Sequence, residues 1–277
     1  MLINCVKNNP INYNLNFTSR YHPKTEETSE VSYSRLNHFS HFFRNDRSDY
    51  IISYLDQKPN NLNEKCNIIS LGCSYGQEVY SYAIKLLEAG FDKDDFHFLG
   101  YDLSEQTIDY AKDGIYDQND ELGCIEDLAE YKHPEYFELQ SNKDVRVKKE
   151  LLPKCDFIKG DVRNIKIEDE SQDVVLFNNV LYHLVFDTSF YKTKKVCDQM
   201  AQQISKMLKP NGLLLTDPYG VRRLAFCSPE MSYVFYDSLI DNDFIKLDNG
   251  IYKKMPKGYR QKMNETQKFL LNYNYNK

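Results

Sequence analysis

NIISLGCSYGQEVYSYAI, residues 67–84, changes its period halfway along. The run 67–71 is short and apolar, as a buried strand requires, whereas from Glu78 onward Val79, Ala83, Leu86 and Leu87 recur at helical spacing. Gly72 ends the strand and Gly76 opens the helix, with the small residues Cys73 and Ser74 between them. Glycine at such positions admits torsions closed to other residues and lets backbone come close to a ligand. A strand followed by G-x-x-x-G reads equally well as a ligand-cradling loop and as an ordinary strand–helix turn.

The alternation continues outward in both directions. Strand-like blocks at 96–101, 155–159, 173–177 and 212–216 are separated by helix-like stripes at 104–112 and 193–208, the last strand following the turn KPNG. Residues 114–152, with mixed charges, aromatic residues and Pro134, read as a less regular insertion. Upstream, Leu36, Phe39, Phe42, Phe43, Tyr50, Ile51, Tyr54 and Leu55 predict helix across 32–58 with a break near Asn45. Downstream, a helix near 229–240 precedes a hairpin, DFIKLDNGIYKKM (243–255), turned by Asp248-Asn249-Gly250. Strands alternating with helices predict an α/β, Rossmann-like fold: a mostly parallel sheet with helices on both faces and a small N-terminal helical segment. The expected division is an arm and helical segment over 1–60, one domain over 61–257 and a polar, Tyr/Asn-rich tail over 258–277.

A chain of 277 residues that is 41% hydrophobic can bury a full core. Lys and Arg number 35 against 41 Asp and Glu, and the formal charge of -6 gives no general attraction to phosphate backbones or anionic membranes. Neither nucleic acid nor membrane is therefore expected as a partner. Seven cysteines are scattered, odd in number and without a CxxC pair, which fits reduced thiols in the cytoplasm. The start lacks a basic segment followed by an apolar run, and no apolar stretch is long enough to span a bilayer. The six histidines form no cluster with acidic or thiol groups, so no metal is expected.

In a doubly wound sheet, ligands lie beyond the carboxyl ends of the strands, and the polar residues there are the candidates. The strand 96–101 leads into Asp102, and an ionised carboxylate at that edge can accept both hydroxyls of a ribose. Asp102 also suits the N-cap of the following helix, a role equally open to Ser104. Asp161, after Lys159-Gly160, can accept from an adenine amino group or cap a short turn. Phe177-Asn178-Asn179 brings two side-chain amides to the fourth strand end, where they face a cofactor or cap the next helix. NAD would use the same logic, but Ser74 and Gln77 stand at the second and third glycine positions of G-x-G-x-x-G, and Glu78 would set negative charge near a pyrophosphate. S-adenosylmethionine has no phosphate, and its methionyl ammonium is matched by an acidic partner.

A collinear series of blocks resembles one family in particular. SHFFR (40–44), GCSYGQEVYS (72–81), YDLSEQTIDYAKDGIY (101–116), EYFELQSNKDVRVKKEL (135–151), CDFIKGDV (155–162), NNVLYHL (178–184) and LKPNG (208–212) follow the order seen in CheR-type protein-glutamate O-methyltransferases, which are class I S-adenosylmethionine-dependent enzymes. The resemblance implies that Ser40 and Arg44 reach the cofactor from the preceding helix, that Glu78 meets the methionyl amine, and that Asp102, with Leu103, meets the ribose. It further implies that Asp161 and Val162 lie by adenine, with Phe177, Asn178 and Asn179 lining the same pocket over the loop of Gly72, Ser74 and Gly76. Without the family pattern, Arg44 reads as a solvated arginine and the Phe39, Phe42 and Phe43 stripe as core packing.

This chain departs from the pattern at several places. His38 stands for the usual Asn, Gln77 for the first Glu, and Asn178 for the Arg of R-N. The family's I-Y-F is Tyr182-His183-Leu184, so His183 occupies the place of the tyrosine beside the acceptor, with Tyr182 adjacent. His183 is either a structural or capping residue, or one that orients an acceptor or takes its proton, since its unperturbed pKa lies near neutrality. The front part is shorter than the family's helical substrate domain, and no insertion accommodates a receptor-tethering subdomain, so an acceptor other than a chemoreceptor is open.

Methyl transfer from a sulfonium is an in-line displacement in which alignment and exclusion of water dominate. A carboxylate acceptor is already ionised near neutral pH and needs no base. Arg44 would then position donor or acceptor, while His183 or Tyr182 shapes the acceptor pocket. Carboxyl O-methylation of a protein is the leading expectation. Methylation of a small molecule or another protein group, and S-adenosylmethionine binding without catalysis, are the alternatives.

Overall fold

The computed structural model describes residues 42–43, 47–58, 64–116, 134–141, 144–185, 190–216, 231–259 and 262. In chain order the elements are α1 (Ser48–Asp56), β1 (Cys66–Leu71), α2 (Gln77–Glu88), β2 (Phe96–Asp102), α3 (Glu105–Asp113), β3 (Ile115–Tyr116), β4 (Phe137–Leu139), β5 (Val145–Val147), β6 (Lys154–Lys159), β7 (Gln172–Phe177), α4 (Val180–Val185), α5 (Phe190–Met207), β8 (Leu208–Thr216), α6 (Met231–Asp241), β9 (Phe244–Asp248) and β10 (Ile251–Lys254).

Seven strands form one sheet in the order β6-β2-β1-β7-β8-β10-β9. The first five are parallel, and β10 runs antiparallel to both β8 and β9. Starting from β1 the chain steps outward through β2 to β6, then returns to place β7 on the other side of β1. The strand order reverses between β1 and β7, and in sheets of this kind such a boundary opens a crevice at the carboxyl ends.

Strict alternation within the strands explains why helices cover both faces. Ile68, Val174, Leu176, Leu213 and Leu215 point to one core with Val79, Ala83 and Leu86 of α2, and Phe42 and Ile51 join them. Ile69, Leu71, Val175, Phe177 and Leu214 point to the other, against Met200, Ala201 and Ile204 of α5 and Phe235 and Leu239 of α6. Nearly every side chain of β1 and β7 is buried, as central parallel strands require.

Helix α1 is fastened at both ends. Arg47, just before it, donates to the Thr216 carbonyl at 2.6 Å, while Tyr54 near its end and Lys58 just beyond it reach Asp173 at the opposite end of the strands. Helix α3 begins at an N-cap, Ser104, whose Oγ accepts from the Thr107 N–H, and ends at Gly114 in the left-handed region.

Three expectations from the sequence are corrected. Phe42 and Phe43 form a turn, with Phe43 at φ +54, so the expected helix over 32–58 is helical only from Ser48 among the described residues. KPNG lies inside β8: Gln172 pairs with Leu208 and Val174 with Leu213, so the extra residues form a bulge with Asn211 at φ +69. The expected irregular insertion carries a small antiparallel sheet, β3-β5-β4, whose Tyr116 and Phe137 rings meet Phe42 edge-on. Among the described residues, no helix is long and apolar enough to cross a membrane.

Candidate functional site

The chain leaves β1 through a tight loop. The N–H groups of Gly72 and Cys73 both donate to the Tyr101 carbonyl near the end of β2, at 2.7 and 2.8 Å. Gly72, Ser74 and Gly76 have φ of +76, +50 and +84, torsions that only glycine adopts without strain. A Cβ on Gly72 would lie 2.4 Å from Val180 Cγ2 at the start of α4, and one on Gly76 would lie 2.9 Å from Ala111 of α3. Close packing and torsion therefore both demand these glycines. The Ser74 hydroxyl oxygen is buried and has no hydrogen-bond partner, which marks it as a polar group left over from folding.

Asp102 ties this loop to α3. One of its oxygens accepts from the Ser74 N–H at 2.9 Å; the other accepts from the Ser104 N–H at 3.0 Å and from Thr107 Oγ1 at 3.2 Å. Ser104 is the N-cap of α3, so Asp102 is a loop clamp. A carboxylate offers about four acceptor positions, which leaves capacity on the oxygen facing Ser74. Leu103, next in the chain, is half-buried.

The end of β6 lies alongside, because the Gly160 N–H donates to the Asp102 carbonyl at 2.8 Å. Asp161 caps the short turn that follows: it accepts from the Arg163 N–H at 2.9 Å and pairs with that guanidinium at 2.6 Å. Burial pushes its pKa up, but the hydrogen bonds and charge of Arg163 outweigh this and hold it below the usual carboxylate range. Val162 is buried in the core with α5.

Glu78, in the first turn of α2, joins β1 to β7. Its Oε2 accepts from Ser70 Oγ at 2.9 Å, and its Oε1 accepts from Asn178 Nδ2. Asn179 follows at φ +58, and α4 begins at Val180 against Gly72. The Phe177 ring is 1% exposed and packs on Phe235 with centroids 5.8 Å apart. It braces the second core, so a pocket-lining role for this ring, as the resemblance implied, is not what its packing supports. Tyr182 and His183 lie on α4, both half-buried with ring centroids 5.6 Å apart, and Tyr182 packs on the second core.

Ser40 and Arg44 lie outside the described residues. Two residues flanking Arg44 are placed: the Phe43 N–H donates to Ser81 Oγ of α2 at 2.8 Å, and Arg47 is bonded to Thr216. Sequence reasoning missed Ser70 and Arg47. The signal for Ser70 was a hydroxyl within the apolar run Ile68, Ile69, Leu71; Arg47 gave none, since its partners are backbone carbonyls.

The strand ends of β1, β2, β6 and β7 thus meet around one glycine loop, with two carboxylates and a buried unpartnered hydroxyl. This acceptor-rich set fits a ligand that brings an ammonium and ribose hydroxyls, as S-adenosylmethionine does, and is ill suited to a pyrophosphate.

A family model described as CheR methyltransferase, SAM binding domain, matches residues 37–216. Two Campylobacter jejuni proteins named chemotaxis protein methyltransferase are each 33% identical over 96 residues, 35% of this chain and 34% of the relative. The chain thus spans about a third of the length of the curated relatives it matches. Among solved structures, a SAM-dependent methyltransferase from Methanosarcina mazei is similar at 14% identity and a TM-score of 0.41, over 72% of this chain and 96% of that one. Geranyl diphosphate C-methyltransferase from Streptomyces coelicolor A3(2) is similar at 9% identity and a TM-score of 0.38, over 73% and 60%.

Proposed function

The chain belongs to the CheR methyltransferase family, and on that premise we propose that it binds S-adenosylmethionine at the carboxyl edge of the sheet and O-methylates a carboxylate on a protein. The observation that carries this reading is the pair of half-buried carboxylates, Glu78 and Asp102, set around one glycine loop at the point where the strand order reverses. Glu78 receives the ammonium, Asp102 with Leu103 the ribose, and Asp161 and Val162 border the adenine. Gly72, Ser74 and Gly76 form the loop beneath, with Asn178 and Asn179 opposite.

Bound S-adenosylmethionine supplies a methyl group on a positively charged sulfur. With a carboxylate acceptor, ionised near neutral pH, no side chain needs to hold a proton. The work left to the protein is alignment and exclusion of water. Arg44 positions the acceptor or the donor; the support is that Phe43 and Arg47, close on either side of it, are anchored to α2 and to the end of β8. His183 and Tyr182 wall the acceptor side. The cytoplasm is the proposed setting, in keeping with free thiols at Cys66, Cys73, Cys155 and Cys197.

Calorimetric titration with S-adenosylmethionine and S-adenosylhomocysteine tests the cofactor, and failure of folded wild type to bind either overturns it. Transfer of labelled methyl groups into proteins of a cell lysate tests the acceptor. Release of the label as methanol at alkaline pH is expected of a carboxyl ester; a base-stable label on protein or on a small molecule replaces this reading.

A further inference from the structure

We infer that Ser70 and Asn178 are positioning residues that aim the Glu78 carboxylate and so make it the selector for the amino-acid end of the ligand, an inference that rests on the S-adenosylmethionine reading above. Ser70 is 1% exposed in β1. A hydroxyl buried there is costly unless bonded, and it donates to Glu78 Oε2 at 2.9 Å. Asn178 is the first residue past β7 and donates through Nδ2 to Glu78 Oε1. A carboxylate only accepts, so the amide must present its NH2 side to Glu78.

The two donors come from adjacent parallel strands, Ser70 of β1 standing opposite Leu176 of β7 two residues before Asn178. Each oxygen of Glu78 is therefore held from a different strand of the rigid sheet, while its backbone is held by α2. Both donors are neutral, so they fix the direction of the carboxylate without cancelling its charge. A group held in this way loses little rotamer freedom when a cation arrives. Neither the Ser70 nor the Asn178 bond to Glu78 involves an atom of residues 72–76, so the pair bears on the charged tail.

The test is calorimetry on the full chain with two ligands: S-adenosylmethionine and 5′-methylthioadenosine, which keeps the adenosine and the sulfur but has no amino-acid group. Ser70→Ala and Asn178→Ala are each expected to weaken S-adenosylmethionine about tenfold, the scale of losing a hydrogen bond to a charged group. Binding of methylthioadenosine to the Ser70→Ala protein stays as in wild type. On a Glu78→Ala background, Ser70→Ala has no further effect, because its only route to the ligand is gone. Unchanged S-adenosylmethionine affinity in both variants overturns the inference. So does an equal loss of both ligands in Ser70→Ala, which is the mark of a scaffold role. Wild type that binds neither ligand overturns the cofactor reading itself, a result distinct from either.

Discussion

Arg47 Nη1 lies 2.6 Å from the Thr216 carbonyl oxygen and 3.4 Å from that of Gly250, so the entry to α1 is bound to the end of β8 and to the turn between β9 and β10. Arg47→Ala is expected to lower stability by about 1–2 kcal/mol, the cost of a charge-assisted bond in a half-buried setting. On the proposed reading that Arg44 serves the site, it should also weaken S-adenosylmethionine several-fold. Urea denaturation and calorimetry on the same preparation check both, and an unchanged affinity would count against that role for Arg44.

At the other end of α1, the fully buried Asp173 side chain accepts from Lys58, from Lys209 at 3.0 Å, and from the Asn67 N–H at 2.9 Å. Burial pushes its pKa up, yet the bonds from Lys58, Asn67 and Lys209 outweigh it and leave the value below the usual carboxylate range. A folded pKa below the unfolded one means that its stabilisation is complete above about pH 4, the unfolded value, and is lost as pH falls through the folded value. Asp173→Asn is expected to cost about 3 kcal/mol near pH 7, where two lysines are left facing an amide. The gap between the two proteins should shrink as pH is lowered below about 4. Urea denaturation at several pH values measures this, and a gap independent of pH would mean that Asp173 acts through shape alone.

The central fold was legible because β1 and β7 alternate Ile, Val and Leu between two cores, a local pattern that needs no knowledge of partners. The polar strand ends were legible for a related reason: Asp102, Asp161 and Asn178 fall where each apolar run stops. What escaped depends on pairing across the chain. The KPNG bulge exists only relative to β7, and β3, β4 and β5 are two or three residues long, too short for a period to show. The direction of Phe177 was in fact available, since it shares parity with Val175 and so faces the second core. The Ser70–Glu78–Asn178 bracket links residues 8 and 100 positions apart, and only the topology brings the second pair together.

Gly72 combines a φ of +76 with a neighbour, Val180 Cγ2, that would sit 2.4 Å from any Cβ. Gly72→Ala is expected to destabilise by about 2–4 kcal/mol, part torsional and part steric. Gly72→Ala combined with Val180→Ala should recover the steric part, so the pair will be clearly non-additive in urea denaturation. Simple additivity would show that α4 yields to the extra methyl at no cost.

Asp102 separates the two halves of the ligand reading. Its oxygens hold Ser74, Ser104 and Thr107, so Asp102→Ala strands the two backbone donors as well as removing the proposed ribose acceptor, and about 2 kcal/mol of stability is expected to go with it. Asp102→Asn is the sharper variant, because its amide keeps one accepting oxygen and about the same shape. The ribose is common to S-adenosylmethionine and 5′-methylthioadenosine, so Asp102→Asn should weaken both by the same factor, on the order of tenfold or more. That is the opposite signature from Ser70→Ala, which spares methylthioadenosine. Calorimetry with both ligands on both variants reads the two patterns side by side. Full affinity for both ligands in a folded Asp102→Asn protein would leave Asp102 the clamp between the β1 loop and α3, and the ribose would have to be held by another group.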